Sequence, residues 1–155
     1  MNEHKQGVVD VSAKKVTKRK AVHSSTLILG SKAYKALQDE RSPKGNVLEA
    51  AKIAAIMAVK NTAVIIPMCH PLAINQVVVD FLYNDQDNSV TSVVEVSSEG
   101  KTGVEMEALL GASVSSLTIY DMMKWVSHDM LIQETSLDVK TGGASGAYRK
   151  RKVKT

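Results

Sequence analysis

Apolar and polar positions follow two rhythms along this chain, one of period two and one of helical spacing. Thr26-Leu27-Ile28-Leu29, closed by Gly30, predicts a first strand. Residues 31–38 place Ala33, Tyr34 and Leu37 on one side, which predicts a short helix capped by Ser31. Ser42-Pro43-Lys44-Gly45 breaks the pattern, and Asn46 opens a second helix to about residue 61. In that helix Ala50, Ala51, Ala54, Ala55 and Ala58 alternate with Ile53, Ile56 and Val59. Side chains so small let a neighbour approach closely, so the helix is expected to be sandwiched. Residues 64–72 are apolar, but Pro67 and Pro71 exclude a central strand. Residues 74–83 set Val77, Val79 and Phe81 against Val78, Asp80 and Leu82, residues 90–96 alternate through Val90, Ser92, Val94 and Val96, and the polar turn 84–88 joins them into a hairpin. Alternation returns over residues 131–140 as a last strand.

The longest helical segment lies between Gly100 and Met130. Leu110, Val114 and Leu117 fall at helical spacing and are expected to face the core. The same stripe continues to Asp121 and Lys124, an acid and a base three residues apart on one side. At the other end, Glu105 and Glu107 can serve one site only if the chain is still entering the helix there, as Gly100 and Gly103 permit. Ordinary solvated helix charges are the plain alternative, with the glutamates favouring the positive end of the helix.

The predicted order is strand, helix, helix, hairpin, helix, strand. Without one of the two helices in the first crossover this is β-α-β-β-α-β, an α+β split-βαβ fold with a four-stranded antiparallel sheet and helices on one face. A chain of 155 residues makes a single domain, residues 1–155, with 1–8 and 147–155 expected as flexible arms.

Charge and composition narrow the picture. The net charge of +4 hides a segregation: residues 1–23 carry +4, residues 140–155 carry +6, and the stretch between carries −6. Basic ends on an acidic body point to an anionic ligand or partner. The single cysteine excludes an internal disulfide framework and points to a reducing cytoplasmic setting. No apolar run reaches the length of a membrane span, and no charged-then-apolar leader opens the chain. Membrane partners are not expected.

Several chemical signals fail on inspection. Gly100-Lys101-Thr102 stands where a phosphate loop would, but the glycine that loop needs five residues earlier is Glu95. Cys69-His70 cannot furnish a zinc site with so few other ligands, so neither metal nor cofactor is expected. Cys69 reads best as a buried inert thiol. His70 is different, because Pro67 and Pro71 hold it on a rigid turn that suits a positioned acid–base group. A nucleic-acid-binding module would use the basic arms, but the predicted strands lack an aromatic pair on which bases could stack. A non-catalytic oligomeric scaffold is the other alternative.

Six blocks carry a resemblance to a known family. They are Val9-Asp10-Val11-Ser12, Lys44-Gly45-Asn46-Val47, Pro67-Met68-Cys69-His70-Pro71-Leu72, residues 100–109 (G-K-T-G-V-E-M-E-A-L), residues 117–122 (L-T-I-Y-D-M) with Lys124, and Gly142-Gly143. In this order, over residues 9–146, the chain resembles the cyclic pyranopterin monophosphate synthases of molybdenum-cofactor biosynthesis. The resemblance implies a ferredoxin-like subunit with an extra helix in the first crossover. It also implies a homohexamer built as a trimer of dimers, with active sites at subunit interfaces and no nucleic-acid partner. The implied reaction converts (8S)-3′,8-cyclo-7,8-dihydroguanosine 5′-triphosphate to cyclic pyranopterin monophosphate and releases pyrophosphate, a lyase reaction run by acid–base groups. Asp121, Lys124, Lys44 and His70 fall on the catalytic positions. Arg19, Met68, Cys69, His70, Glu105, Met106, Glu107 and Lys140 fall on substrate-binding positions. One departure stands out: where the family usually reads Gly-Gly-Lys-Ser-Gly, this chain has Ala144 in place of the lysine. Trp125 also replaces a smaller residue.

Overall fold

Strand structure begins earlier than the alternation predicts. In a computed structural model, which describes residues 7–150, β1 (Thr17–Ile28) takes in the basic run Lys18, Arg19 and Lys20. Those cations can sit in a strand because they occupy its N-terminal end, where Lys20 pairs with Glu95 of the neighbouring strand at 2.6 Å. Beyond them Ala21, His23, Ser25 and Leu27 point inward at every second position. His23 is buried with neither ring nitrogen hydrogen-bonded, and burial pushes its pKa down against the opposing charges of Asp138 and Glu105.

The hairpin forms as the alternation requires, from β2 (Ile74–Asn84) and β3 (Ser89–Gly100), with Asn88 at positive φ in the turn. β4 (Leu131–Thr141) pairs with the other edge of β1 through two register shifts. The order is β2-β3-β1-β4-β5, antiparallel throughout, and its first four strands are arranged as in ferredoxin-like folds. The fifth, β5 (Tyr148–Arg149), corrects the expected four-stranded sheet and the expected arm beyond residue 146. Tyr148 and Arg149 pair with Lys140 and Val139 after a turn through Gly142 and Gly143. Lys150 reinforces the return with its N–H on the Asp138 carbonyl at 2.8 Å and its ammonium on Glu134. Gly7 and Val8 carry no regular structure, and the rest of the expected arms lies outside the described residues.

The helices are α1 (Gly30–Gln38), α2 (Val47–Lys60), the single turn α3 (Thr62–Ile65) and α4 (Glu105–Met123). Ser31 does not cap α1. Gly30 at φ +73° lets the chain pass directly from β1 into the helix, so Ser31 already lies within its first turn. Asn46 does cap α2, accepting the Glu49 N–H at 3.0 Å. The sandwich expected of α2 is half present: Ala51, Ala55 and Ala58 are buried, while Ile53 is 61% exposed and Met57 is also open.

The largest correction concerns α4. Its buried face is not Leu110, Val114 and Leu117 but Ala108, Gly111, Ala112, Ser115, Ser116, Ile119, Met122 and Met123. Leu117 is 55% exposed. Proximity explains the inversion, because α4 packs against α2 on one flank and against β1 and β3 beneath. A Cβ on Gly111 would stand 2.8 Å from Val59 Cγ2 and 3.1 Å from Val94 Cγ1. Only small residues fit such a contact, and the buried hydroxyls are satisfied, Ser115 on Ser92 at 2.9 Å and Ser116 on Ser25 at 2.8 Å. No helix among the described residues is long and apolar enough to cross a membrane.

Gly111→Val tests this packing. Overfilling the contact should destabilise the fold by about 1–3 kcal/mol, seen as a lower thermal midpoint. An unchanged midpoint would mean that α4 can lift off the sheet freely.

Candidate active site

The candidate residues read from sequence collect at the two ends of α4. At its C-terminal end Asp121 receives two lysines, Lys44 Nζ at 2.5 Å on Oδ2 and Lys124 Nζ at 2.8 Å on Oδ1. Lys124 reaches back one turn along the helix, as its spacing requires. Lys44 arrives from the turn before α2, and that turn is pinned to the helix end by Ser42 Oγ donating to the Met122 carbonyl at 3.1 Å. Two ammonium groups at this end also suit the negative pole of the helix. The hydrogen bonds of Lys124 and then Lys44 hold the Asp121 carboxyl down at about 2, and Asp121 in turn raises the pKa of Lys124. Asp121 and Lys124 are therefore charged at neutral pH, and the carboxylate alone is a weak base there. All three side chains are about half exposed, so solvent screens the attraction.

At the N-terminal end, Met68, Cys69, His70, Leu72, Thr102, Gly103, Glu105, Met106 and Glu107 line a cavity of about 280 Å³. Both glutamates open onto it because the chain enters α4 at Glu105, and Gly103 leaves room for the first of them. A Cβ on Gly103 would lie 1.9 Å from Glu105 Oε2. Burial pushes Glu105 up, but Lys140 Nζ donates to its Oε1 at 3.0 Å and brings the carboxyl net below its ordinary value. Glu107 is only 4% exposed. Burial, with the Glu105 charge adding to it, raises the Glu107 pKa. Cys69 is half-buried against the cavity rather than sealed in the core, and burial followed by the Glu107 charge pushes its thiol up, so it is a protonated thiol at neutral pH.

Two cations act on Glu105, one of the residues lining this cavity. Lys140 of β4 also donates to Ser145 Oγ at 2.9 Å, which ties down the loop between β4 and β5. Arg19 donates from Nε to the Gly100 carbonyl at 3.3 Å, and its guanidinium lies against Gly143. A Cβ there would stand 1.8 Å from Arg19 Nη1, and Gly143 has φ +82°, so the Gly-Gly pair is what admits the arginine. The two ends do not meet within one chain. Glu105 and Asp121 are sixteen positions apart on one helix, about 24 Å.

Two contributions have no role assigned from sequence, although Val9-Asp10-Val11-Ser12 is the first of the resemblance blocks. Val9 accepts a hydrogen bond from His70, and Ser12 one from Lys101, so the N-terminal segment borders the cavity; no periodicity marks it. Ser145 stands beside the departure at Ala144, but its tie to Lys140 depends on the hairpin return to β5, which no hydrophobic pattern announces.

Known proteins match this arrangement along nearly its whole length. A profile described as the MoaC family matches residues 8–143. The chain is 47% identical over 154 residues to the cyclic pyranopterin monophosphate synthase of Staphylococcus epidermidis, covering 96% of this chain and 95% of that relative. It is 49% identical over 148 residues to the enzyme of the same name from Staphylococcus haemolyticus, covering 92% and 91%. The corresponding Staphylococcus carnosus protein is 48% identical over 145 residues, covering 92% and 89%. The chain belongs to the MoaC family. The matched stretch takes in both ends of α4 and the Gly142-Gly143 turn, so the whole two-part arrangement lies inside the family region.

The environment of Glu107 predicts a measurable cost to stability. Its folded-state pKa is raised, so its favourable contribution is present below the unfolded value and is lost as pH rises through the folded one. Glu107→Gln should therefore raise the thermal midpoint at about pH 8, and the gain should vanish toward about pH 4. A variant less stable than the parent at pH 8 would show that the carboxylate is stabilised where it lies.

Proposed function

We propose that this chain carries out the reaction implied by its family. It converts (8S)-3′,8-cyclo-7,8-dihydroguanosine 5′-triphosphate to cyclic pyranopterin monophosphate and pyrophosphate in molybdenum-cofactor biosynthesis. The observation that carries the site assignment is the sorting of every candidate side chain into one of two clusters at opposite ends of α4. One cluster offers ammonium groups around a carboxylate. The other offers an imidazole and two carboxyls around a cavity, with two cations acting on Glu105.

Neither half suffices alone. A cavity of about 280 Å³ falls at the small end of what a drug-sized ligand fills, and the substrate also carries a triphosphate. The Asp121 cluster is open to solvent. Both facts support a site completed by a second copy, Asp121, Lys44 and Lys124 of one subunit facing His70, Glu105 and Glu107 of another, within a homohexamer arranged as a trimer of dimers. Exposed Ile53, Met57, Leu117 and Trp125 supply apolar surface for such contacts. A reducing cytoplasm suits the single free thiol.

The division of labour follows from side-chain chemistry. Opening the imidazole ring of a purine, closing a pterin ring and cyclising a phosphate all move protons without a redox step. His70 brings an imidazole, whose two nitrogens can take a proton and return it. Lys44, Lys124, Arg19 and Lys140 neutralise the triphosphate and the departing pyrophosphate. Glu105 and Glu107 accept hydrogen bonds from the N–H groups of the guanine-derived ring. Closing a second subunit over Asp121 removes the water that screens it, which strengthens its hold on the two lysines.

Incubation with the cyclised GTP intermediate, followed by detection of the pterin product and pyrophosphate, tests this directly. Asp121→Asn and His70→Asn should each lower kcat by on the order of 10²–10⁴-fold. Undiminished product formation in either variant would remove that residue from the site.

A further inference from the structure

Residues 9–12 run past the cavity as a short strap. The Val9 carbonyl oxygen lies 2.7 Å from His70 Nε2. Three residues on, the Ser12 carbonyl accepts from Lys101 Nζ at 2.7 Å. Between these anchors the Ser12 N–H donates to Asp10 Oδ1 at 2.8 Å, and the Lys14 N–H donates to the Val11 carbonyl at 3.0 Å. The strap is thus folded on itself by a side-chain turn and fastened at both ends to the cavity side of the protein.

The contact at His70 has a chemical consequence. A carbonyl oxygen bears lone pairs and no proton, so Nε2 must be the donor. A neutral imidazole carries a single ring proton, so with Nε2 protonated the other nitrogen, Nδ1, is the acceptor. The prolines at 67 and 71 fix the backbone of His70, but a fixed backbone does not select a tautomer. The carbonyl of Val9 does. The Asp10 carboxylate is held low by its hydrogen bonds from Ser12 and then by the Lys101 and His70 charges.

We propose that this strap is a positioning element for His70, with the Val9 carbonyl holding the ring as the Nε2–H tautomer so that Nδ1 is the atom that takes a proton from substrate and returns it. Asp10 acts through the strap and does not touch the reacting atoms. The proposal rests on the reading of His70 as a proton-transferring group, and the two can fail separately.

Nitrogen-15 spectra of histidine in the full chain at about pH 8, with His70 assigned through the loss of its signals in His70→Asn, read the tautomer directly. The expected spectrum has His70 wholly as the Nε2–H form; an Nδ1–H form, or the mixture of a free imidazole, overturns the proposal. Asp10→Ala, which opens the side-chain turn, should give a tautomer mixture and lower kcat about tenfold while changing KM less than about twofold. Asp10→Asn keeps an oxygen acceptor for the Ser12 N–H and should restore both the spectrum and most of kcat. An Asp10→Ala protein with the parent's spectrum and kcat overturns the positioning role. Full turnover in His70→Asn overturns the underlying reading instead, even if the Nε2–H tautomer is present.

Discussion

A rigid helix seated too close to its neighbours for large side chains is the constraint on which the rest of this structure depends. Gly111, flanked by Ala108, Ala112, Ser115 and Ser116, lets α4 touch Val59 of α2 and Val94 of β3. Once that contact is made, the two ends of the helix have fixed places. Glutamates stand at the pole that favours anions, and lysines at the pole that favours cations. No movement short of breaking the helix brings Asp121 to His70. A catalytic centre that needs both must take them from two chains.

The two ends differ in kind as well as in place. Asp121 is half exposed and gripped by ammonium groups, which lower its pKa to about 2. Glu107 is buried without a lysine among the causes of its shift, and its pKa is raised. Carboxyls driven in opposite directions give the two ends of α4 a fixed anion and a readily protonated acid at the same pH. The buried member costs stability, as functional groups in cavities commonly do. Lys140 moderates that cost by compensating the neighbouring Glu105 and, through Ser145, by holding the loop before β5.

Much of the fold was legible in the sequence because alternation is a direct consequence of a half-buried sheet. Val77, Val79 and Phe81 on β2 and Val90, Val94 and Val96 on β3 face the helices as their spacing requires. The α4 stripe was misread for a physical reason: hydropathy ranks Leu117 above Gly111, whereas burial was decided by how closely two backbones approach. The charged start of β1 and the two-residue β5 escaped notice because neither alternates. The candidate residues were legible through short blocks such as Pro67-Met68-Cys69-His70-Pro71 and Gly100-Lys101-Thr102-Gly103, which resemble those of a known family. Which end of α4 each remote residue joins was not, because spacing along a chain does not say where Lys44, His70 or Lys140 fold to.

The most direct measurement of a site divided between two chains is subunit complementation. Asp121→Asn and His70→Asn subunits, each inactive alone, would be unfolded together, refolded as a mixture and assayed with the cyclised GTP intermediate. If each site joins Asp121 of one copy to His70 of another, a random mixture contains intact sites, about a quarter of the total, and turnover returns to about that fraction of the parent's. A mixture that assembles and remains as inactive as its components would mean that both residues must come from one chain, which contradicts a site shared between subunits.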